Sequence, residues 1–342
     1  MRFKTSIRNI QTFSKLTASL SSLGKVAWVR LDDLNVRFTI IPETGTQVWA
    51  SLSIDSIFED YTIQSNAENN AINLELPLPP LHRALKSAIN ASSASIRLTK
   101  RDGVPVLSLT IITNTISSGN TANGFLNGAS QDPFGDNAFR EQDLNAGRER
   151  EAVVTQDIPV RVLTADSVEG IHEPRVREPD AHIILPSLIQ LKAISDRFTK
   201  LASATSTGAI RSGGANNIPK LELSANMHGS LRLSISTDAL NISSVWTGLT
   251  NPLLDPNQVN PDGEGLEDHP STLLRERGPD AWSTVRIDGR DWGKVLSVGR
   301  LGGRVIACFA DDHALILYVY LANYEDGTDE SVLTYYISSF SA

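Results

Sequence analysis

Apolar residues recur every three to four positions in four segments of the chain, and this spacing predicts four amphipathic helices. In the first segment Phe13, Leu16 and Leu20 share one face, and Gly24 ends the helix. In the last, Asp288 stands where an N-cap is expected. The four segments are residues 7–24, 77–93, 186–203 and 288–304. The predicted buried face of the second helix consists of Leu81, Ala84, Leu85, Ala88 and Ile89, that of the third of Leu191, Ile194, Phe198 and Leu201, and that of the fourth of Trp292, Val295, Leu296 and Gly299.

Between the helices the apolar residues alternate with polar ones, which predicts β-strands joined by short turns and therefore antiparallel. The order strand, helix, meander, strand, helix, strands occurs twice along the chain. This repetition predicts an α+β fold made of two similar domains. The predicted strands are 2–6, 25–31, 34–40, 46–54, 71–76, 94–100, 104–113 and 152–163 in the first half, and 181–185, 219–226, 230–237, 240–249, 282–287, 304–310, 313–321 and 332–340 in the second.

Three stretches interrupt this rhythm because they carry few aliphatic residues and no sustained period. We interpret 117–150, 203–217 and 251–278 as flexible insertions, and expect the first and third to be dispensable for folding. The stretch 164–180 contains two prolines and mixed charges, which is typical of a linker. The sequence therefore predicts an N-terminal domain over 1–163, a connecting loop over 164–180 and a C-terminal domain over 181–342.

Composition is that of a globular protein: of 342 residues, 40% are apolar and 20% are charged. The lone cysteine, Cys308, lies in an apolar run, which predicts a buried thiol and fits a reducing compartment. No secretory leader or membrane-spanning stretch is visible in the sequence, so we expect a soluble intracellular protein with no membrane partner. No run of four basic residues is present either, so entry into the nucleus would need a partner.

Charge is unevenly distributed between the helices and the rest of the chain. Each of the four helical segments carries a net charge of +2, whereas the whole chain carries −8, which leaves −16 outside them. Cations concentrated on helix faces of an acidic protein indicate a surface for a polyanion, and nucleic acid is the first candidate. The alternative is that these lysines and arginines are solvated side chains on surface helices.

Residue patterns for catalysis or metal binding are weak. The six histidines have no metal-ligand spacing, and one cysteine cannot build a zinc site. Residues 289–294 resemble a phosphate-binding loop, but the spacing is one residue short and Val295 stands where a serine or threonine is required. The acidic pairs, including Asp311 and Asp312, fall in predicted turns. We therefore expect no enzyme activity, no cofactor and no metal.

Six short motifs recur in a known family: MRFK at 1–4, VWA at 48–50, AENNAINLEL at 67–76, LHRALK at 81–86, DIPV at 157–160 and YYISSF at 335–340. They resemble the Hus subunit of the heterotrimeric DNA-damage checkpoint clamp (the nine-one-one complex), within the sliding-clamp class of proliferating cell nuclear antigen (PCNA). The resemblance covers nearly the whole chain apart from the insertions, and its most specific part is residues 68–76 together with 81–86.

This resemblance implies a DNA-clamp fold in which antiparallel sheets lie outside and two helices per domain line the inner face of a ring. It implies two unlike clamp subunits as ring partners, an ATP-driven clamp loader, recruitment of checkpoint and repair proteins, and action on double-stranded DNA in the nucleus. A homotrimeric replication clamp and an enzyme of unknown type are the alternatives. The residues expected to face DNA are Arg8, Lys15, Arg83, Lys86, Lys192, Arg197, Lys200, Arg290 and Lys294.

The clamp family also binds partner peptides in an apolar groove beneath the connecting loop. The positions of this chain that match that groove are Ile40, Leu163, Ile171, Tyr336 and Ser338. An equally open interpretation is that these five residues pack the loop onto the sheet.

Overall fold

The structure, a computed structural model, describes residues 1–43, 45–116, 149–206, 220–237, 240–252, 268–321 and 331–340. These residues form three antiparallel sheets and a set of short helices. The strands are β1 (Arg2–Ile7), β2 (Val26–Leu31), β3 (Asn35–Ile40), β4 (Gln47–Ser53), β5 (Phe58–Gln64), β6 (Ile72–Pro77), β7 (Ser93–Arg101), β8 (Val104–Ile116), β9 (Glu149–Pro159), β10 (Arg161–Val162), β11 (Ala181–Ile184), β12 (Leu221–Ala225), β13 (Leu231–Thr237), β14 (Leu240–Trp246), β15 (Ser283–Ile287), β16 (Gly303–Ala310), β17 (Ala314–Leu321) and β18 (Ser331–Ser338). The helices are α1 (Ile10–Leu23), α2 (Leu78–Ser87), α3 (Ala165–Val168), α4 (Leu188–Ser206), α5 (Pro270–Glu276) and α6 (Gly289–Val295), with a 3-10 helix at Leu296–Leu301 continuing α6.

The largest sheet joins the two halves of the chain. Its nine strands run in the order β10-β6-β2-β3-β4-β18-β17-β16-β11, so that β4 of the first half pairs with β18 of the second. Two smaller sheets, β5-β1-β7-β8-β9 and β14-β13-β12-β15, complete the two halves. Because the central ladder is continuous, the two halves are fixed to each other by backbone hydrogen bonds.

The helices and the 164–180 loop lie on opposite faces of the nine-stranded sheet. Successive side chains of a strand point to opposite faces, and β18 shows both environments. Tyr335 is fully buried next to Ser19 of α1, whereas the hydroxyl of Tyr336 donates a hydrogen bond of 2.8 Å to Glu173 of the loop. Tyr335 therefore points to the helix side and Tyr336 to the loop side.

Aromatic side chains anchor α1 to the first half of the core. Phe13 contacts Phe58 edge to face at a centroid distance of 5.5 Å and Phe38 at 6.3 Å, and all three rings are buried. Leu16 and Leu20 of the same helix are fully buried. The apolar spacing of α1 thus corresponds to a helix face that is buried in the core. Burial of this face is the main source of the helix's stability in the folded protein.

All four predicted amphipathic helices are confirmed, but two of their residues were wrongly expected to be buried. Ile89 is 43% exposed because α2 ends at Ser87, and Leu201 is 44% exposed because the neighbouring Ala202 occupies the inward position of α4.

The predicted hairpin of β7 and β8 is also confirmed. Its turn has positive φ at Asp102 and Gly103, which a two-residue hairpin turn of this kind requires.

The interpretation of 251–278 as one flexible insertion is wrong for its last part. His269 caps α5, and Leu274 of α5 is only 7% exposed where the helix packs on β11. Residues 253–267 of this insertion lie outside the described residues, as do 117–148 and 207–217 of the other two. Residues 149–150 belong to β9 and residues 203–206 to α4, so these positions are not part of loops.

Candidate nucleic-acid interface

The four amphipathic helices form one continuous layer across the molecule. Helix α1 contacts α2 on one side and α6 with its 3-10 extension on the other, and α6 in turn contacts α4. The order across the layer is therefore α2, α1, α6, α4. Helices that are far apart in sequence thus present a single outward surface.

Small side chains allow α1 and α6 to approach where the two halves of the chain meet. The hydroxyl of Ser297 lies 3.2 Å from that of Ser22 and 3.4 Å from that of Ser19. The hydroxyl of Ser22 also donates to the backbone carbonyl of Lys294 at 3.4 Å. This polar junction keeps the exposed faces of the two helices side by side.

Helices α4 and α6 are held close by glycines and by one buried hydrogen bond. A Cβ atom on Gly299 would come within 2.8 Å of Leu188 Cβ, and one on Gly293 within 3.1 Å of Asp196 Oδ1. The indole Nε1 of buried Trp292 donates to Ser195 Oγ at 3.1 Å. Close packing of this kind fixes the spacing of the side chains on the outward face.

Six of the nine cations that were expected to face DNA are exposed and make no ion pair with a described residue. They are distributed over all four helices of the layer. Because unpaired cations keep their full attraction for an anion, they are the strongest candidates for phosphate contacts. These six residues are Lys15, Arg83, Lys86, Arg197, Lys200 and Arg290.

The other three predicted cations are paired. Lys192 lies 3.0 Å from an oxygen of Asp196 and donates to the carbonyl of Gly293 at 2.9 Å, and Lys294 lies 2.8 Å from Asp291. The spacings of three and four residues in these pairs are those that bring side chains together on a helix. Their net attraction for an anion is therefore weaker than formal charge suggests.

Arg8 does not lie on a helix. It stands in the turn between β1 and α1, with Nε 3.9 Å from a carboxylate oxygen of Glu59. The expectation that all nine cations lie on helix faces is wrong at this position.

A cleft of about 640 Å³ runs between α4 and α6 on the outward face of the layer. The cations Lys200, Arg290 and Arg300 line it together with the two paired lysines. Arg300 was not among the residues expected to face DNA, although its segment was counted as basic. It lies on the 3-10 helix that continues α6, inside the predicted segment 288–304, so its basic side chain in that segment was the signal that could have identified it.

Asp288 begins α6 as expected. Its side chain accepts hydrogen bonds from the backbone amides of Arg290 at 2.8 Å and Asp291 at 3.3 Å, and it lies 3.4 Å from Lys220 Nζ. Partial burial raises the pKa of this carboxyl, but the two amides and Lys220 outweigh it, so the pKa lies below its ordinary value of 3.8. The cap is thus anionic at neutral pH and stabilises the helix that carries Arg290.

The residues expected to form a peptide groove are only partly brought together. Leu163 and Ile171 line one pocket beneath the connecting loop. Ile40 is 2% exposed and points into the core, because its place in β3 puts it on the helix side. It does not line that pocket.

Tyr336 and Ser338 lie on the loop side of β18 but do not line that pocket either. Burial and the adjacent carboxylate of Glu173 raise the pKa of Tyr336, so its hydroxyl stays protonated and donates to Glu173. This contact favours the interpretation in which Tyr336 packs the loop onto the sheet. Whether the five positions bind a peptide stays a prediction.

Other chemical features of the described residues are few. Cys308 is buried, and burial raises the pKa of its thiol to about 12. Within the described ranges, no three or more His, Cys, Asp and Glu side chains converge on a possible metal site. None of the helices in those ranges is long and apolar enough to cross a membrane.

Solved structures of sliding clamps share this architecture. The crystal structure of PCNA from Thermococcus kodakaraensis superimposes with a TM-score of 0.59 at 15% identity, covering 99% of this chain and all of that one. The crystal structure of the Entamoeba histolytica protein gives a TM-score of 0.56 at 12% identity, with 99% of each chain covered. Together with the antiparallel sheets and the helix layer, these similarities show the predicted α+β DNA-clamp fold.

Sequence comparison identifies the family. The chain is 39% identical over 341 residues to the checkpoint protein hus1 of Schizosaccharomyces pombe, covering 99% of both chains. It is 24% identical over 269 residues to the human checkpoint protein HUS1, covering 77% of this chain and 79% of that one. A family model described as Hus1-like protein matches residues 1–341. The chain therefore belongs to the Hus1-like family.

Proposed function

We propose that this protein is a non-catalytic subunit of a ring-shaped DNA-damage checkpoint clamp. In this role it encircles double-stranded DNA together with two unlike clamp subunits and recruits checkpoint and repair proteins. The observation that carries the proposal is the continuous layer of four helices, which presents unpaired cations in a chain that is otherwise strongly acidic. Membership of the Hus1-like family supports the checkpoint role.

Sequence-independent DNA contact follows from the chemistry of this layer. Lysine and arginine side chains attract phosphates without reading base edges, and the attraction is of similar strength along the whole duplex. Flexible cations on helices that cross the duplex therefore hold it loosely and permit sliding. Retention on DNA comes from enclosure by the ring.

Two edge strands support the assignment of the ring contacts. In the described sheets, β9 pairs only with β8 and β14 only with β13, so each has a free edge. Val153 and Val154 of β9 and Val245 of β14 are exposed there. Unpaired backbone groups beside apolar side chains favour pairing with another strand, and we assign these two edges to the partner subunits.

The remaining parts of the proposal concern the cell. An ATP-driven loader opens and closes the ring on DNA, and the protein acts in the nucleus, which it enters with a partner because the sequence has no basic import run.

Residues 1–163 and 181–342 serve as two similar clamp domains, connected by 164–180. The groove positions Leu163, Ile171, Tyr336 and Ser338 are proposed as one place for partner proteins, with Ile40 supporting them from the core.

Light scattering tests the assembly. The purified chain alone and the chain mixed with the two candidate clamp subunits are measured at equal concentrations. The proposal expects a one-to-one-to-one trimer only in the mixture. A closed trimer of this chain alone would instead favour a homotrimeric replication clamp.

Retention on plasmid DNA tests enclosure. Rings loaded on nicked circular plasmid are expected to survive a high-salt wash and to be released when the plasmid is cut at one site. A protein that binds DNA only through its basic surface, without enclosing it, would be washed off the circular and the cut plasmid alike, since salt weakens phosphate contacts. That result would contradict the proposal.

A further inference from the structure

A second group of cations lies on the small sheet of the first half, β5-β1-β7-β8-β9. Successive residues of a strand alternate between its two faces. In β1 the inward Phe3 is 2% exposed, whereas Arg2 and Lys4 on either side of it are exposed. In β7 the inward Ile96 is 1% exposed, and the next residue, Arg97, is exposed. Arg2, Lys4 and Arg97 therefore share the face of this sheet that points away from the core.

The register of β1 and β7 brings two of these cations together. Lys4 stands directly opposite Arg97 on the neighbouring strand. Like charges in this arrangement destabilise a sheet. Arg2 lies two residues from Lys4, or about 7 Å along the strand. None of the three forms an ion pair with a residue in the described ranges.

Carboxylates border these three cations on both sides but do not compensate them. On the β5 side, the carboxylate of Glu59 lies 3.9 Å from Arg8 Nε. On the β9 side, Asp157 stands in the same row as Arg97 but two strands away, and its carboxylate pairs with Arg101 at 2.9 Å. Further exposed carboxylates lie at the edges and turns of the sheet, at Asp60 in β5, Asp102 in the β7–β8 turn and Glu151 in β9.

The residues next to the cations are uncharged and small. The neighbour of Lys4 on β5 is Thr62, and in the next row Ser6 stands opposite Ser95. Short side chains leave the ends of the longer cations accessible, and their hydroxyls are additional hydrogen-bond donors. This part of the sheet is thus a positively charged surface with hydroxyl groups between the charges.

We propose that this surface, defined by Arg2, Lys4 and Arg97 and called the β1–β7 cation cluster, binds a short acidic segment of a partner protein. The bound segment is extended and carries an aspartate or glutamate at every second position. Alternate side chains of an extended segment point to one side about 7 Å apart, which matches the spacing of Arg2 and Lys4. Its carboxylates pair with the three cations, and the hydroxyls of Ser6 and Thr62 donate hydrogen bonds to the same groups.

Charge complementarity selects this occupant. The chain carries −16 outside the four helical segments, and the three cations belong to that acidic remainder. A short acidic segment is therefore attracted to the β1–β7 cation cluster and repelled by the surface around it. A rigid DNA duplex fits less well, because it would also lie over the bordering carboxylates of Glu59 and Asp157. No residue of the cluster belongs to the helix layer, so the proposal requires neither DNA nor a closed ring.

Fluorescence anisotropy with a synthetic peptide tests the cluster on the full chain. The probe is a fluorescein-labelled dodecapeptide with aspartates at alternate positions in a glycine and serine background, and the control peptide replaces each aspartate by asparagine. The double variant Lys4→Gln with Arg97→Gln removes two charges from the cluster. The matched control, Lys25→Gln with Arg277→Gln, removes two exposed cations that lie outside this sheet.

The cluster variant is expected to bind the aspartate peptide about three- to tenfold more weakly than the wild type, as for the loss of two exposed ion pairs. The control variant should stay within about twofold of the wild type. The asparagine peptide should bind weakly to every variant. Binding of the aspartate peptide should also weaken as salt is raised, because exposed ion pairs are screened.

A stability measurement separates loss of binding from loss of folding. Because Lys4→Gln relieves the repulsion from Arg97, the urea midpoint of this single variant is expected to equal or exceed that of the wild type. Three binding results would overturn the proposal: equal weakening by the cluster and control variants, equally tight binding of the asparagine peptide, or no binding of the aspartate peptide to the wild type. Displacement of the peptide by excess unlabelled duplex DNA would also overturn it, because the peptide would then occupy a surface for nucleic acid.

Discussion

Gly289, the first residue of α6, lies against Thr199 of α4, and substituting it tests how the spacing of these two helices is set. A Cβ atom at this position would overlap Thr199 Oγ1 and would lie 3.1 Å from Thr199 Cγ2 and 3.3 Å from Leu221 Cδ1. Thr199 cannot easily turn away, because a β-branched side chain has few rotamers in a helix and its hydroxyl donates to the carbonyl of Ser195 at 2.9 Å. Gly289→Ala therefore forces the two helices apart.

Overpacking of this kind costs about 1–3 kcal/mol. A loss of about 2 kcal/mol would lower the Tm by about 4–8 °C for domains of this size. In a Thr199→Ala background both crowding atoms of Thr199 are gone and only the flexible end of Leu221 remains, at 3.3 Å. Gly289→Ala should then be neutral or stabilise by up to about 1 kcal/mol through better helix propensity. The expected coupling between the two positions is thus about 1–3 kcal/mol.

Urea unfolding of the four proteins of this double-mutant cycle measures the coupling. Gly170→Ala is the matched control, since a Cβ atom there would meet no atom within 4 Å. The reasoning is refuted if Gly289→Ala leaves the urea midpoint unchanged, or if it destabilises equally with and without Thr199.

Three further predictions concern separate parts of the molecule. Leu274→Ala is expected to cost about 2–3 kcal/mol in urea unfolding because it opens a cavity beneath α5, whereas Leu273→Ala, at a residue 42% exposed, should cost far less; equal effects would show that α5 is not packed. Asp288→Ala should cost about 1 kcal/mol at about pH 7 through loss of the helix cap. Because the folded-state pKa of Asp288 is depressed, the contribution of its charge to the free energy of unfolding is present above pH 3.8 and is lost as the pH falls. The stability difference between wild type and Asp288→Ala in urea should therefore be smaller at about pH 2, and an undiminished difference would contradict this. Val153→Lys should reduce trimer formation in light scattering while Val104→Lys, also at an exposed valine, does not; equal trimer yields would remove β9 from the ring contacts.

The parts of the fold that the sequence predicted are those with a regular period. The apolar spacing of α1 and the alternation in β2 to β4 both indicate a buried face, and the structure confirms each. Strand β5 was missed because its pattern is irregular: Glu59 and Asp60 are exposed in succession, and Asp60 has a positive φ. Helix α5 was missed because few of its residues point inward and the preceding sequence is acidic and rich in proline.

The arrangement of the candidate site depended on contacts that no local pattern contains. The contact of α1 with α6 joins residues more than 270 positions apart, as in the Ser22–Ser297 pair. The pairing of Lys192 with Asp196 and of Lys294 with Asp291 could have been recognised from their spacing. The register that places Trp28 beside Thr39 and Arg30 beside Arg37 could not, because strand alternation gives the face of a side chain but not its neighbours on other strands.

The most direct test of the DNA-facing layer is the salt dependence of DNA binding by the assembled ring. The triple variant Lys86→Ala, Arg197→Ala and Lys200→Ala removes three unpaired cations from α2 and α4. A control variant with Lys100→Ala, Arg101→Ala and Arg161→Ala removes three cations from the outer sheets, of which Arg101 and Arg161 are ion-paired. We predict that the first variant assembles normally, binds all duplex sequences more weakly and flattens the slope of log affinity against log salt by up to about 2.7 units, while the second keeps the wild-type slope. A normally assembled first variant with unaltered affinity and slope would contradict the account, because these cations would then be only a solvated helix face.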